Sequence, residues 1–297
     1  MGRIDEGEEM SRPVTPEDIT ATVVASFEGC SDPRLRELMQ SLVRHLHAFA
    51  VDVQLTQDEW EQGIRILTQT GDITDEHRQE FILWSDSLGV SMLVDAIAQG
   101  DAGNATESTV LGPFWVPGSP LREYGASIAE EEDGTPAWVY GRVTDTSGAP
   151  IAGAELDIWQ NGENRLYAVQ DPEAPEEHLR GRFLTRDDGT YAFLAARPTA
   201  YPIPYDGPVG HMLDTTGRHP WRPAHLHMIV SAPGYRRLTT HIFDAESDYL
   251  DSDAVFAVKP SLIRHFERRS ADDPECPEGV TGEWVSVEND IVLAPDG

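Results

Sequence analysis

The spacing of apolar residues changes near residue 109, and this change constrains the fold more than any other feature of the 297-residue chain. Before it, apolar residues recur every three or four positions, as they do on one face of a helix. After it, short apolar runs alternate with turns rich in Gly and Pro. Residues 100–104 (GDAGN) separate the two patterns. We therefore expect a mainly β fold, with a helical N-terminal domain over residues 1–108 and a β-sandwich or barrel over residues 109–297.

Capping residues predict where the N-terminal helices begin. Thr15 and Asp32 each precede a proline, which favours a helix start. Thr56 and Glu59 form a capping box, and Thr74 opens the last helix of this part. The apolar positions after these caps share one face of each helix and are predicted to form a helical core: Leu35, Leu38, Met39, Leu42, Val43, Leu46, Trp60, Ile64, Leu67, Phe81, Ile82, Leu88, Met92, Leu93 and Ile97.

Short apolar segments bounded by turns predict the strands of the second part. They are 138–143, 155–159, 182–185, 191–194, 225–230, 238–243 and 283–287. The tail from 271 to 297 is acidic and contains prolines, so we expect a surface extension that carries only the last of these strands.

Charge and cysteine content limit the possible partners. The chain has 52 acidic and 22 basic residues, a formal net charge of −30, which repels nucleic acid and anionic lipid headgroups. The sequence contains no run of about 18 apolar residues, so we expect no membrane span. The acidic residues 1–9 lack the apolar core of a signal peptide. Only Cys30 and Cys276 are present, which favours free thiols in a cytoplasmic protein over a single disulfide.

A metal site is predicted by His225 and His227, which lie two residues apart in a predicted strand. Alternate positions of a strand share one face, so both imidazoles can bind one ion. Tyr167 and Tyr201 lie upstream, and phenolate oxygen is a hard donor that suits a small, highly charged ion. Zinc usually takes Cys, His, Asp or Glu instead. The residue types therefore indicate Fe(III), which a vicinal diol such as catechol could chelate before reacting with dioxygen.

Other interpretations of these residues remain open. A single His-x-His on a strand is more often structural than metal-binding. Spacing does not decide between Tyr201 and Tyr205, and Tyr205 is expected to be a packing residue, as are Tyr191 and Tyr235. Residues 141–154 also resemble transthyretin-like carrier and adhesion modules, which would make the chain a non-catalytic binding protein.

Longer motifs together resemble one enzyme family. They are residues 109–115 (TVLGPFW), 157–160 (DIWQ), 171–172 (DP), 179–182 (LRGR), 201–210 (YPIPYDGPVG), 217–227 (GRHPWRPAHLH) and 232–235 (APGY). The chain resembles the intradiol ring-cleavage dioxygenases, which include the catechol and hydroxyquinol 1,2-dioxygenases. The resemblance runs from the helices to about Lys259. It implies a β-sandwich catalytic domain and a helical linker domain that pairs in homodimers, sometimes around a bound phospholipid.

The resemblance also assigns roles to individual residues. Tyr167, Tyr201, His225 and His227 match the ligands of one non-haem Fe(III) per subunit, and Tyr201 matches the ligand that leaves the iron and acts as a base. Arg222 matches an active-site arginine whose fixed charge stabilises anionic character on the substrate; its alternative role is a surface ion pair. The matching pocket residues are Leu83, Asp86, Val110, Gly112, Pro113, Phe114, Ile203, Pro204 and Val255.

The segment 83–95 is similar to the hydroxyquinol branch of the family, in which a carboxylate at the Asp86 position faces the substrate. Such a carboxylate accepts a hydrogen bond from a third ring hydroxyl and would stay unpaired with catechol. We therefore expect hydroxyquinol as substrate, with catechol or a chlorocatechol as the alternative. The alternative role for Asp86 is a solvated helix position. His241 departs from the catechol type, which often carries Gln there, and its role is open.

Overall fold

The computed structural model describes residues 14–75, 78–100, 103–130 and 133–296. The acidic segment 1–9 lies outside these ranges, as do residues 101 and 102 of the predicted break. Described residues up to 68 form one compact unit, and those from 69 onward form a second.

The helices are short and lie mainly in the first third of the chain. They are α1 (Pro16–Ala25), α2 (Pro33–Asp52), α3 (Gln57–Asp72), α4 (Glu80–Ser87), α5 (Val90–Gln99) and α6 (Pro208–Thr215), with a 3-10 turn at Pro260–Leu262. The Asp32 carboxylate accepts the first free N–H groups of α2. Thr56 and Glu59 exchange the two hydrogen bonds of a capping box, at 2.9 and 3.3 Å. These predicted helix starts are confirmed, because each cap pairs backbone donors that have no partner within the helix.

The prediction that a helix begins at Thr74 is wrong, because the helix begins later and is shorter than expected. The described helix begins at Glu80 and ends at Ser87, and Gly89 then adopts a left-handed φ of 74°. This glycine bends the chain by 72° between α4 and α5. No single described helix is long and apolar enough to cross a membrane. The bent pair of α4 and α5 reaches the length and hydropathy of a membrane span only when the two helices are counted together.

The predicted helical core is also wrong for the first unit. Leu35, Leu42 and Leu46 are 48, 56 and 57% exposed, and neither α1 nor α2 contains a buried residue. A unit this small buries only a modest part of the surface that its unfolded chain exposes. The apolar face that sequence spacing assigned to a core is therefore half-exposed in the single chain.

The strands occupy the second unit. They are β1 (Pro136–Asp145), β2 (Glu155–Trp159), β3 (Arg180–Leu184), β4 (Thr190–Ala196), β5 (Tyr201–Pro202), β6 (Trp221–Arg222), β7 (His225–Ser231), β8 (Leu238–Asp244), β9 (Ile263–Arg264), β10 (Glu267–Arg269), β11 (Trp284–Glu288) and β12 (Ile291–Leu293). All seven predicted strands are present within a few residues of their expected limits, which confirms a mainly β unit with helices before it.

The first five-stranded sheet is organised around β1. The order is β10-β11-β1-β12, and β4 pairs antiparallel with β1. Both β11 and β12 come from the acidic tail. β11 is the strand predicted there, but β12 was not predicted, so the expectation of a surface extension with a single strand is wrong. Their apolar residues Val285, Val287, Ile291 and Leu293 are at most 2% exposed. The acidic residues of the tail lie largely outside these two strands, so the overall composition of the tail concealed β12.

The second five-stranded sheet has the order β3-β2-β7-β8-β9, with β7 between β2 and β8. A two-stranded pair, β5 with β6, lies outside both sheets and sets Tyr201 opposite Arg222. One buried cluster contains side chains from both large sheets, among them Val139, Leu226 and Val287. Among the polar residues that the sequence singled out, Tyr201 lies on β5, Arg222 on β6, and His225 and His227 on β7. Tyr167 lies in the loop after β2, and Asp86 lies on α4.

A close backbone approach at Gly141 gives a test of the first sheet. A Cβ atom there would overlap the carbonyl oxygen of Asn289, next to the β11–β12 connection. We expect Gly141→Ala to cost about 1–3 kcal/mol, because the backbone must move to relieve the overlap. Gly63→Ala is the control, since nothing lies within 4 Å of its Cβ and alanine favours a helix interior by about 1 kcal/mol. Thermal unfolding should show a lower midpoint for the first variant only; an unchanged midpoint would contradict the close approach.

Candidate metal and substrate site

Four buried side chains converge inside the second unit. The Tyr167 hydroxyl oxygen lies 2.8 Å from Nε2 of His227, and Nε2 of His225 lies 3.1 Å from the same nitrogen. The rings of Tyr167 and Tyr201 meet edge to face with centroids 5.2 Å apart. All four residues are at most 2% exposed. These are the four residues that the family resemblance named as ligands.

Strand pairing explains this convergence. His225 and His227 alternate along β7 and so share one face. The β2 strand sets Trp159 opposite His227, and their rings stack at 4.7 Å. Tyr167 follows β2 in a loop, where its ring stacks on Phe114 with centroids 4.6 Å apart. Pairing to β2 thus brings residues 60 positions apart together.

Both site histidines are neutral and oriented. Burial lowers the pKa of His225 and of His227 well below 6.5, and the Arg222 charge adds to the shift of each pKa. Nδ1 of His225 lies 2.7 Å from the carbonyl oxygen of Pro223, which can only accept. That nitrogen therefore carries the proton, and Nε2 of His225 presents a lone pair to the centre of the group. Nδ1 of His227 lies 2.7 Å from Nε2 of His241.

The group has the composition and spacing of a cation site. Burial raises the pKa of Tyr167 well above 10, with a further increase from Tyr201, so its phenolate needs a cation beside it. Two nitrogens that each lie about 2.1 Å from one ion are separated by roughly 3.0–3.4 Å, and the observed 3.1 Å fits this range. The ligand atoms of His225, His227 and His241 also lie within 4.8 Å of one another.

The structure distinguishes Tyr201 from Tyr205. Tyr201 is 2% exposed, and its hydroxyl accepts a hydrogen bond from Nη1 of Arg222 at 3.3 Å. Tyr205 is 60% exposed, so the expectation that it packs in the interior is wrong. Sequence spacing could not separate the two because both belong to the same Pro-rich segment.

Arg222 is buried in an ion pair that the sequence did not predict. Its Nε donates to Oδ1 of Asp253 at 3.1 Å, and both side chains are at most 3% exposed. Asp253 also accepts the N–H groups of Val255 and Ala257. Burial alone would lower the pKa of Arg222, but Asp253 together with Tyr201 and Tyr167 outweighs burial and raises that pKa. The alternative role of Arg222 as a surface ion pair is wrong, since its partner and its position are interior.

The predicted apolar pocket residues form two groups: one is a single buried cluster, and the other consists of residues next to His227, Tyr167 or members of that cluster. Leu83, Val110, Ile203 and Val255 belong to one buried apolar cluster. Gly112 has a φ of 75°, and a Cβ atom there would lie 3.5 Å from Cε1 of His227. Pro113 and Pro204 are half-buried neighbours of these residues in the chain, and Phe114 is buried against Tyr167.

Asp86 is buried, which excludes the solvated helix position as its role. It is 3% exposed and lines a cavity of about 650 Å³ together with Val110 and Gly112. Burial raises the pKa of Asp86, while Ser91 and Arg222 lower it and Asp253 raises it. Asp86 therefore lies within the electrostatic reach of the Arg222 pair.

Two further residues of the site carried little or no signal in the sequence. Asp253 is one of several acids in an acidic loop and has no motif of its own. His241 lies opposite His227 in the β7–β8 pair, and only this register brings the two together. The available signs were a histidine beside apolar residues of β8 and its departure from the Gln that the catechol type often carries.

The Arg222 pair predicts a large loss of stability on removal of its acid. Asp253→Ala should cost about 3–5 kcal/mol, because it leaves a buried guanidinium without a counter-charge. Urea unfolding measures this, with Glu37→Ala as the control, since its pair with Arg34 is two-thirds exposed and should contribute under about 1 kcal/mol. Replacing both partners, as in Arg222→Met with Asp253→Leu, should recover most of the loss. Equal costs for the two single variants would contradict a buried pair.

Comparisons with known proteins agree with this arrangement of residues. A family model described as "Dioxygenase" matches residues 110–295, and one described as "Catechol dioxygenase N terminus" matches residues 32–106. The hydroxyquinol 1,2-dioxygenase of Nocardioides simplex is 50% identical over 96% of this chain and 100% of its own length. The catechol 1,2-dioxygenase of Candida albicans is 43% identical over 93% of this chain and 92% of its own.

A solved structure is similar over nearly the whole chain. The hydroxyquinol 1,2-dioxygenase from Pseudomonas putida DLL-E4 superposes with a TM-score of 0.88 at 51% identity, covering 95% of this chain and 99% of that one. Family models thus match both the N-terminal and the C-terminal part of the chain, and two hydroxyquinol 1,2-dioxygenases are 50 and 51% identical to it. The chain belongs to the intradiol ring-cleavage dioxygenase family.

Proposed function

We propose that this enzyme is an Fe(III)-dependent dioxygenase that cleaves hydroxyquinol (1,2,4-trihydroxybenzene) with O2, in the catabolism of aromatic compounds. The ring opens between the vicinal hydroxylated carbons and gives 3-hydroxy-cis,cis-muconate or its tautomer maleylacetate. The observation that carries this proposal is the buried group of two phenols and two neutral imidazoles beside Arg222, with Asp86 buried within the electrostatic reach of Arg222. Relatives near 50% identity that are named hydroxyquinol 1,2-dioxygenases support the substrate.

We assign the metal ligands to Tyr167, Tyr201, His225 and His227, with one non-haem Fe(III) per subunit. Two phenolates beside two neutral imidazoles leave a ferric ion with a charge of only about +1, which favours the ferric state over the ferrous. When bound, ferric iron withdraws electron density from a chelated diol and so activates the ring toward dioxygen. The family uses non-haem iron, and the high pKa of buried Tyr167 supports a cation at this place.

Tyr201 and Arg222 supply the proton transfer and the charge compensation. Tyr201 would act as a base: its phenolate oxygen would take one hydroxyl proton of the substrate, which leaves Tyr201 as a neutral phenol. Arg222 donates to that same oxygen at 3.3 Å and cannot itself lose a proton, so it stabilises negative charge on Tyr201 and on the bound diol. Asp253 holds the guanidinium in place through two nitrogen–oxygen contacts.

Asp86 is the residue that we propose as the determinant of substrate choice. Its oxygens accept a hydrogen bond from the third ring hydroxyl of hydroxyquinol, and a neutral acid still retains a carbonyl acceptor. Catechol has no third hydroxyl to offer, so Asp86 would lack this hydrogen bond and keep only its existing partner Ser91, at a cost of about 1–3 kcal/mol. Leu83, Val110, Ile203 and Val255 supply apolar walls, and Gly112, Pro113, Phe114 and Pro204 complete the pocket.

The proposal extends to architecture and assembly. We propose that the two five-stranded sheets form a β-sandwich, which their shared buried cluster supports. We propose a helical domain over residues 1–108 and a catalytic domain over residues 109–297, supported by the separation of the two family matches between 106 and 110. The half-exposed apolar face of α2 supports a homodimer formed through the N-terminal helices, for which the resemblance also implies a phospholipid. The unpaired Cys30 and Cys276 support a cytoplasmic location.

Removal of Tyr167 tests the iron assignment. We expect Tyr167→Phe to bind iron more weakly, to lose much of the visible phenolate-to-iron absorption, and to take up oxygen only at background rate with hydroxyquinol. Iron quantitation, a visible spectrum and an oxygen electrode measure these three quantities. Tyr205→Phe is the matched control and should match wild type in all three, because Tyr205 is exposed. A Tyr167→Phe protein with normal colour and turnover would show that the ligand set is different.

Asp86 gives a separate test of the substrate. Asp86→Ala should lower the ratio of kcat/KM for hydroxyquinol to that for catechol by about 10- to 100-fold, the equivalent of one unpaired buried group. Asp95→Asn is the control, since Asp95 lines the same cavity but is paired with Lys259 at 3.1 Å. Its ratio should not change. Asp86 does not select the substrate if its variant keeps the wild-type ratio.

A further inference from the structure

We propose that His241 is a positioning residue, which accepts a hydrogen bond from Nδ1–H of His227 and thereby directs Nε2 of His227 toward the metal. This inference rests on the proposed function, because it assumes that His227 binds the ion. It assigns a role to His241, whose function in the site the sequence did not determine.

The contact between the two histidines is short, buried and set by the fold. Nε2 of His241 lies 2.7 Å from Nδ1 of His227, and both residues are at most 1% exposed. Their rings meet edge to face with centroids 4.2 Å apart. They are directly opposite in the register of β7 and β8. Backbone pairing of two strands therefore fixes the separation of the rings.

The other site histidine has the same arrangement. Nδ1 of His225 lies 2.7 Å from the Pro223 carbonyl oxygen, which forces the proton onto Nδ1 and leaves Nε2 free. Nε2 of His225 and Nε2 of His227 thus face each other, and Nε2 of His227 also faces the Tyr167 hydroxyl, while a partner on the far side holds each Nδ1. Histidines that bind metals almost always donate their second ring N–H to such a partner. A backbone carbonyl serves His225, and the His241 imidazole serves His227.

The geometry argues against His241 as a ligand of the same ion. The two nitrogens of an imidazole point away from each other, so an ion at Nε2 of His227 lies on the side opposite to His241. The 2.7 Å between His241 and His227 is also shorter than the roughly 3.0–3.4 Å expected between two nitrogens that share an ion. The three-histidine cluster is therefore two ligands and one hydrogen-bond acceptor.

The fold by itself gives no reason for a histidine at this position. Within the described part of the chain, Nδ1 of His241 is buried and has no hydrogen-bond partner, which is unfavourable for a polar atom. Phe243, two residues on, is fully buried with its ring centroid 5.2 Å from that of His241. An apolar residue at 241 would avoid the unpaired atom, so the contact with His227 is what the histidine provides.

The test compares His241→Leu and His241→Gln with wild type. Iron affinity is measured by competition with a chelator, together with the visible spectrum of the ferric protein and the thermal midpoint of the iron-free protein. We expect His241→Leu to bind iron about 10- to 100-fold more weakly, with an unchanged or raised midpoint because the unpaired Nδ1 is gone. His241→Gln should recover most of the affinity, since its amide oxygen can accept from His227.

Thr240→Val is the matched control on the same strand. It removes the hydrogen bond from the Thr240 hydroxyl to the Glu107 carbonyl, at a position whose partner on β7 is Met228 and not a site histidine. Its midpoint should fall while its iron affinity stays at the wild-type value.

Three results would overturn the inference. Iron affinity in His241→Leu could equal that of wild type, or fall no further than in Thr240→Val, and either result would remove the positioning role. Affinity in His241→Gln could be as low as in His241→Leu, which would show that hydrogen-bond acceptance is not what His241 contributes. Failure of the proposed function looks different, because wild type itself would then bind no ferric iron.

Discussion

The pairing of β7 with β2 on one side and β8 on the other is the constraint on which the site depends. It sets Trp159 and His241 on either side of His227 and carries His225 on the same face. The backbone hydrogen bonds of a central strand are protected from water, so the positions of its side chains are fixed to within a rotamer. A site formed on such a strand needs little reorganisation to receive an ion or a substrate. Loops then bring Tyr167 and Tyr201 to it.

Burial and charge act against each other throughout this centre. Burial keeps the imidazoles neutral and raises the pKa of Tyr167, so the unmetallated group carries little charge of its own. Arg222 is the exception, and it is stabilised because Asp253 is buried with it. A fixed positive charge beside neutral phenols favours their ionisation, and a bound cation would favour it further. The site is therefore organised to hold negative oxygen ligands and a negative substrate, in a protein whose surface is strongly acidic.

Most strands and helix starts could be predicted because they depend on local pattern and local hydrogen bonds. The capping boxes at Thr15 and Thr56 and the alternating strands are of this kind. Errors arose where long-range packing decided the outcome. The strand β12 was missed because it forms by pairing with β1, which lies far earlier in the chain. The spacing of Leu35 and Leu42 indicates an apolar face without indicating what covers it. The glycine break after α4 depends on a single left-handed residue.

By itself the sequence determined the class of the fold and the four residue types that meet at the centre, because motif spacing and side-chain alternation are local properties. Their roles as ligands remain predictions. Only the tertiary structure buried Tyr201 and exposed Tyr205, paired Arg222 with Asp253, buried Asp86 and set His241 behind His227. His227 and His241 are 14 residues apart in the sequence, and Arg222 and Asp253 are 31 apart. Tyr201 and Tyr205 are close in the sequence but differ in burial. No pattern along the chain encodes such contacts, since strand register and the closing of loops bring them about.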